Sequence, residues 1–158
     1  MEWLSWLEQL SVAVAIRNSI WLYPSLEIAH ISGFVVLVGA AVVFDLRLLG
    51  LSRRIPVDDV AGLVLPVSRL SVWVVVPSGL ALFMSDAVSM SANPAFRLKL
   101  VLIACAATNA YVFHRWCFPR VATWRVNSPA PARARFAAVS SILLWTGVIS
   151  CGRWIAYL

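Results

Sequence analysis

Apolar residues run along this chain in four long blocks, broken by short polar segments. The first block, from Trp21 to Leu49, has only Tyr23, Glu27 and His30 as ionisable groups before Asp45. Blocks of this length match the roughly 20 apolar residues that a helix needs to cross a bilayer. The pattern predicts transmembrane helices at 21–49, 60–89, 95–118 and 136–157, within a single membrane domain over 1–158. Asn93-Pro94 marks a helix start, and Pro77 with Gly79 predicts a kink in the second span. Ala29 and Gly33 form a small-xxx-small step that lets a neighbouring helix approach closely. Ahead of these blocks, Trp3, Leu7, Leu10 and Val14 recur at helical spacing among polar residues. A helix over 3–16 covers only about 20 Å against a hydrocarbon core of about 30 Å. It is therefore expected to lie in the interface as an amphipathic helix. The fold class is all-α: an integral membrane four-helix bundle with an N-terminal interfacial helix.

Composition supports this reading. Of 158 residues, 61% are hydrophobic and 13% charged, and mean hydropathy is +0.86. A soluble domain carries about 25% charged residues. The net charge of +6 comes from basic residues dispersed along the chain, of which Lys99 is the only lysine. That dispersal argues against a nucleic-acid stripe and for topology signals. Arg47, Arg53 and Arg54 border the first loop; Arg115, Arg120, Arg125, Arg133 and Arg135 border the third. The positive-inside rule puts both loops in the cytoplasm and both termini on the periplasmic side of a bacterial inner membrane. Glu2 and Glu8 stand where a cleavable signal peptide has a positive region, so the first span is expected to act as its own insertion signal. Cys105, Cys117 and Cys151 are isolated and read as small packing residues.

The candidate chemistry lies in two polar layers. Glu27 and His30, at i and i+3, share a helical face about 9 and 13 Å below the outer start of the first span. Lys99 lies about 6 Å below the outer start of the third. Asp86, Arg97 and Arg153 complete this outer layer. Asp45 and Arg69 lie about 7 to 10 Å from the cytoplasmic ends of their helices, with His114 near that level and Asn109 deeper. Asp45 and Arg69 are expected to form a structural ion pair. Ionisable groups inside a membrane usually face a bundle interior or a cavity, so His30 reads as a haem or metal ligand or a proton carrier. The competing reading is a buried histidine satisfied by Glu27 or by a backbone carbonyl. Glu27 would orient the imidazole as an outer-shell carboxylate does, or pair with Lys99. His30 and His114 differ in depth by about half the membrane, which argues against one haem held by both.

The segments WLYPSLEIAHISGFVVLVG, FDLRLLGL, NPAFRLKL and NAYVFHR resemble an uncharacterised family of small bacterial four-helix inner-membrane proteins across nearly the whole chain. The ExxHxxG string with RLKL is also distantly similar to copper-resistance D type domains and to the J-type protoporphyrinogen oxidase. In the oxidase family a helix-one histidine and a lysine opening a later helix matter for haem and activity, and they match His30 and Lys99. The resemblance implies a histidine-centred, redox-associated site binding b-type haem. His30 would be the ligand, Glu27 its support, and Lys99 and Arg97 the partners of propionates or of an anionic substrate. Copper or proton handling through Glu27, His30 and Met84 or Met90, and a non-catalytic membrane anchor or subunit, are the alternatives. The expected partners are the lipid bilayer and a redox or membrane-complex protein; a homo-oligomer is compatible with the chain.

Overall fold

A computed structural model describes residues 2–119, 124 and 128–158. Arg120 and Arg125, two of the topology arginines, lie outside the described residues. The described residues form helices and turns with no strand. The helices are α1 (Glu2–Gln9), α2 (Ser11–Asn18), α3 (Leu22–Leu49), α4 (Val57–Ser85), α5 (Ala87–Ala92), α6 (Pro94–Val112) and α7 (Ala132–Trp154). A π-helical turn, Phe113–Cys117, extends α6. With that turn included, α3, α4, α6 and α7 are each long and apolar enough to cross a membrane. The chain is a multi-pass membrane protein with an all-α bundle.

The distribution of residues is inverted relative to a soluble protein. Trp73, Leu70, Leu63 and Leu143 are exposed on the outside of the bundle, whereas Asp45, Arg47, Ser71, Ser78 and Ser85 are buried. Lipid accepts the exposed apolar side chains, so packing rests on small residues and close fit rather than on removing oil from water. Ala61, Ala106, Ala134 and Ala138 supply that packing. At Gly33 of α3 an added Cβ would lie 3.0 Å from Val75 of α4, which shows how closely these helices approach.

Local chemistry sets the ends of the spans. Gly50, at φ 113°, closes α3 by donating its N–H to the Arg47 and Leu46 carbonyls, while the Leu51 N–H also reaches Leu46. That left-handed cap suits a residue without Cβ. The buried Arg47 side chain turns back and donates to the Ile55 carbonyl at 2.7 Å and the Arg53 carbonyl at 3.3 Å, bracing the loop. Asn93 caps α6 by accepting from the N–H groups of Ala95 and Phe96, with Pro94 in the first turn. This is the start that the Asn-Pro pair predicts. Helix α4 continues through Pro66 and Pro77.

The N-terminal segment differs from the single helix expected over 3–16. It is two short helices that meet at Leu10, and they are docked on the bundle through Leu4, Ala13 and Ile16. The Glu8 carboxylate accepts from the Val88 N–H at 2.8 Å in the first turn of α5. Arg17 donates to the carbonyls of Ser85 and Glu8. We call this end of the bundle the upper end and the end with the Gly50 and Phe118 turns the lower end.

Candidate functional site

The bundle is an incomplete ring. Helices α3 and α4, α3 and α7, and α6 and α7 pack directly, but α4 and α6 share no contact between their backbones among the described residues. The space this leaves is a cavity of about 750 Å³. Its walls are mostly apolar and include Phe34, Phe44, Ile103 and Trp145. Phe83 of α4 stacks on Phe96 of α6, with ring centroids 5.4 Å apart, and bridges the two helices near the upper end. Below that stack the α4–α6 side has no backbone seal.

Four ionisable side chains reach the cavity wall: His30, Lys99, Asp45 and His114. Their placement follows from register. Helices α3 and α6 run the same way, and Phe44 meets Phe113 edge-to-face at 5.6 Å, so these two positions are level. Counting back 14 residues from each gives His30 and Lys99, about 21 Å higher. Counting forward one gives Asp45 and His114. The cavity therefore has an upper pole of His30 with Lys99 and a lower pole of Asp45 with His114.

At the upper pole the imidazole is held by α4. His30 Nδ1 lies 3.0 Å from the Val75 carbonyl oxygen and 3.1 Å from Ser78 Oγ. Ser78 Oγ itself donates to the Val74 carbonyl at 2.6 Å. A carbonyl only accepts, so Nδ1 carries the proton in this arrangement and Nε2 keeps its lone pair. The ring rests on Gly79, where an added Cβ would come within 2.8 Å of His30 Cε1. Thus Pro77-Ser78-Gly79, expected to kink the span, forms the seat of the histidine: Ser78 supplies a hydroxyl and Gly79 supplies the space. The spacing of this tripeptide in an otherwise Val/Leu-rich span was the available signal. Lys99 is half-buried, lies over Gly152 of α7 with Nζ 3.7 Å from where a Cβ would be, and meets no carboxylate among the described residues.

Several expected members fall elsewhere. Glu27 does not orient His30: it is exposed, off the cavity wall, within electrostatic reach of Tyr23, and the imidazole takes its contacts from Val75 and Ser78. A step of three residues turns a side chain about 60° around the helix, enough to put His30 inside and Glu27 outside. Arg97 is exposed and donates to the Ser91 carbonyl at 2.7 Å, away from the cavity wall. Arg153 is engaged with the hydroxyl and ring of Tyr157.

The Asp45–Arg69 ion pair is not formed. Gly33 faces Val74 and Val75 across the antiparallel pair, so Asp45 is level with residues 62 and 63 of α4. Arg69 is six or seven residues farther along, about 10 Å away, and is exposed. Asp45 is instead buried, with Ser141 of α7 beside it on the cavity wall. Its Oδ2 has no hydrogen-bond partner among the described residues. Asn109 also lines this pole and donates through Nδ2 to the Ala137 carbonyl at 2.9 Å. No group of three or more His, Cys, Asp or Glu side chains able to hold a metal ion occurs among the described residues.

No curated protein and no solved structure matches the chain. A family model does match, over residues 18–158, which takes in all four spans, both poles and the seat of His30. The chain belongs to DUF6644, a family of unknown function.

Proposed function

We propose that this is an inner-membrane redox protein that binds b-type haem at the upper pole, with His30 as the single protein ligand. The observation that carries this reading is the fixed imidazole: Nδ1 is held by the Val75 carbonyl and Ser78, and Nε2 keeps a lone pair on a ring that lines a cavity of about 750 Å³. A backbone hydrogen bond on one ring nitrogen is the usual way of setting a ligand histidine's tautomer and orientation. The volume falls within the range of cofactor pockets, roughly 300 to 1,000 Å³, and the wall is apolar as a porphyrin face requires. Lys99, level with His30, supplies an ammonium for a propionate at the end of the cavity nearer the membrane surface. The resemblance of His30 and Lys99 to the haem-associated pair of the J-type protoporphyrinogen oxidase points the same way.

In this reading the residues divide the work. His30 binds the iron, Val75 and Ser78 hold the ring, Lys99 orients the acidic edge, and the aromatic wall excludes water. Bound haem supplies one-electron chemistry. His114 is about 22 Å below His30 and takes no part in ligation. The arginine-flanked lower loop faces the cytoplasm by the positive-inside rule, so the histidine pole lies toward the periplasm, where a redox partner would dock.

The test is an optical spectrum of protein purified from haem-supplemented cells. A Soret band is expected in the wild type, absent in His30→Ala and retained in Glu27→Gln and His114→Ala. A wild-type protein that takes up no haem, in cells or on reconstitution, would overturn the reading.

A further inference from the structure

We infer that the lower pole is a second binding subsite, built to accept a hydrogen bond from the hydroxyl of a bilayer-soluble aromatic molecule such as an alkylated hydroquinone. Asp45 is 6% exposed, on a wall of the cavity, and its Oδ2 lacks any hydrogen-bond partner among the described residues. A buried polar atom left unpaired costs on the order of 1–3 kcal/mol, so it calls for an explanation. Arg69 forms no ion pair with it among the described residues: it is exposed and starts about 10 Å away along the helix. A ligand that brings an O–H donor removes the deficit.

The surroundings define the class of ligand. The cavity reaching Asp45 is lined by Phe44, Val64, Leu65 and Phe113, so the body of the ligand is apolar. Phe44 and Phe113 present an edge-to-face pair against which a ring can pack. Ser141, Asn109 and His114 add polar atoms around the same pole, enough for a ring with more than one oxygen. The α4–α6 side lacks direct backbone packing, and in a spanning bundle that side faces lipid. A molecule dissolved in the bilayer therefore reaches the pole without crossing water. Asp45 and His30 are 15 residues apart on one helix, about 22 Å, so the two poles hold separate groups. This inference extends the haem reading but does not depend on it.

The test compares decyl-hydroquinone with its O,O-dimethyl ether, which has the same ring and tail but no donor. Binding to purified protein in nanodiscs is followed anaerobically under dithionite by Trp fluorescence, since Trp145 lines the cavity. Wild type is expected to prefer the hydroquinone by about threefold to tenfold, the usual size of a net hydrogen bond. Asp45→Leu should bind both compounds alike, and Leu70→Ala, a change on the exposed outer face of α4 away from the cavity wall, should keep the wild-type preference. Asp45→Asn keeps the shape and one acceptor oxygen and should retain part of the preference, which controls for misfolding. No saturable hydroquinone binding, equal binding of both compounds by wild type, or an undiminished preference in Asp45→Leu would each overturn the inference. The readout is independent of the Soret band: a protein without haem that discriminates through Asp45 refutes only the haem reading, and a haem protein that fails to discriminate refutes only this one.

Discussion

The two poles of the cavity have the same construction and opposite states of completion. Each sets one side chain of α3 level with one of α6 or its π-helical extension, and the spacing is 15 residues on both: His30 to Asp45, and Lys99 to His114. At the upper pole, Nδ1 of the α3 residue is held from within the protein by the Val75 carbonyl and Ser78. At the lower pole, the α3 residue has an oxygen with nothing to bond to among the described residues. A satisfied buried group adds rigidity and orients what it holds, whereas an unsatisfied one stores a cost that a ligand can relieve. The difference traces to α4. Opposite His30 it offers a hydroxyl, a carbonyl and a glycine gap; opposite Asp45 it offers Gly62 and Leu63, which have no polar side chain.

The largest expected effect breaks the upper pole alone. In Gly79→Val, even the first side-chain carbon would stand 2.8 Å from His30 Cε1, so the ring must leave its seat and lose Val75 and Ser78. Overpacking of this kind costs about 1–3 kcal/mol. Haem uptake should fall to the level of His30→Ala, while the Asp45-dependent preference at the other pole should change less than twofold. Parallel Soret titration and hydroquinone binding on the same preparation check this. A variant with normal haem content would show that Gly79 is not the seat of the ligand.

The second prediction uses the sign of a stability change to contrast the poles. His30→Ala removes a side chain with two hydrogen-bond contacts and should destabilise the bundle by about 2 kcal/mol. Asp45→Leu removes an unpaired buried oxygen in favour of apolar bulk and should stabilise it by about 1–3 kcal/mol. Thermal unfolding of both variants in one detergent, without added ligand, gives the comparison. Two shifts of the same sign would mean that the unpaired Oδ2 does not outweigh what the carboxylate gains from Ser141 beside it.

The spans, the helix start at Asn93-Pro94 and the inward placement of His30 on the cavity wall were legible because each depends on local pattern: a run of apolar residues, a cap, an ionisable group in a hydrophobic block. Sequence depth also placed His30 and Lys99 in one layer and His114 in another, because rise per residue needs only helix ends. Partnerships were not legible in this way. Whether His30 is held by Glu27 or by Ser78, and whether Asp45 meets Arg69, depends on helix rotation and on the register of α3 against α4. That register is set by the close approach at Gly33, and a shift of two turns separates an ion pair from an orphan. The break at Leu10 was hidden for a related reason. The apolar spacing continues across it, and what divides the segment is tertiary docking, with Glu8 bonded to Val88 and Arg17 to Ser85.

The smallest effect sharpens the description of the lower pole, because it asks which polar groups there are structural. Asn109 lines the cavity but also donates to the Ala137 carbonyl of α7. That carbonyl lies inside α7, so it keeps its intrahelical donor when the asparagine is removed. Asn109→Leu should therefore cost only about 0.6 kcal/mol, the usual worth of a hydrogen bond between membrane helices. Asp45 differs because its oxygen has no second partner to fall back on. If Asn109→Leu leaves the hydroquinone preference intact with this small loss in thermal unfolding, Asn109 is a strut between α6 and α7 and Asp45 alone sets the preference. If the preference is lost with the same small stability change, the donor molecule is held between Asp45 and Asn109, and the lower pole draws on α3 and α6 together as the upper pole draws on His30 and Lys99.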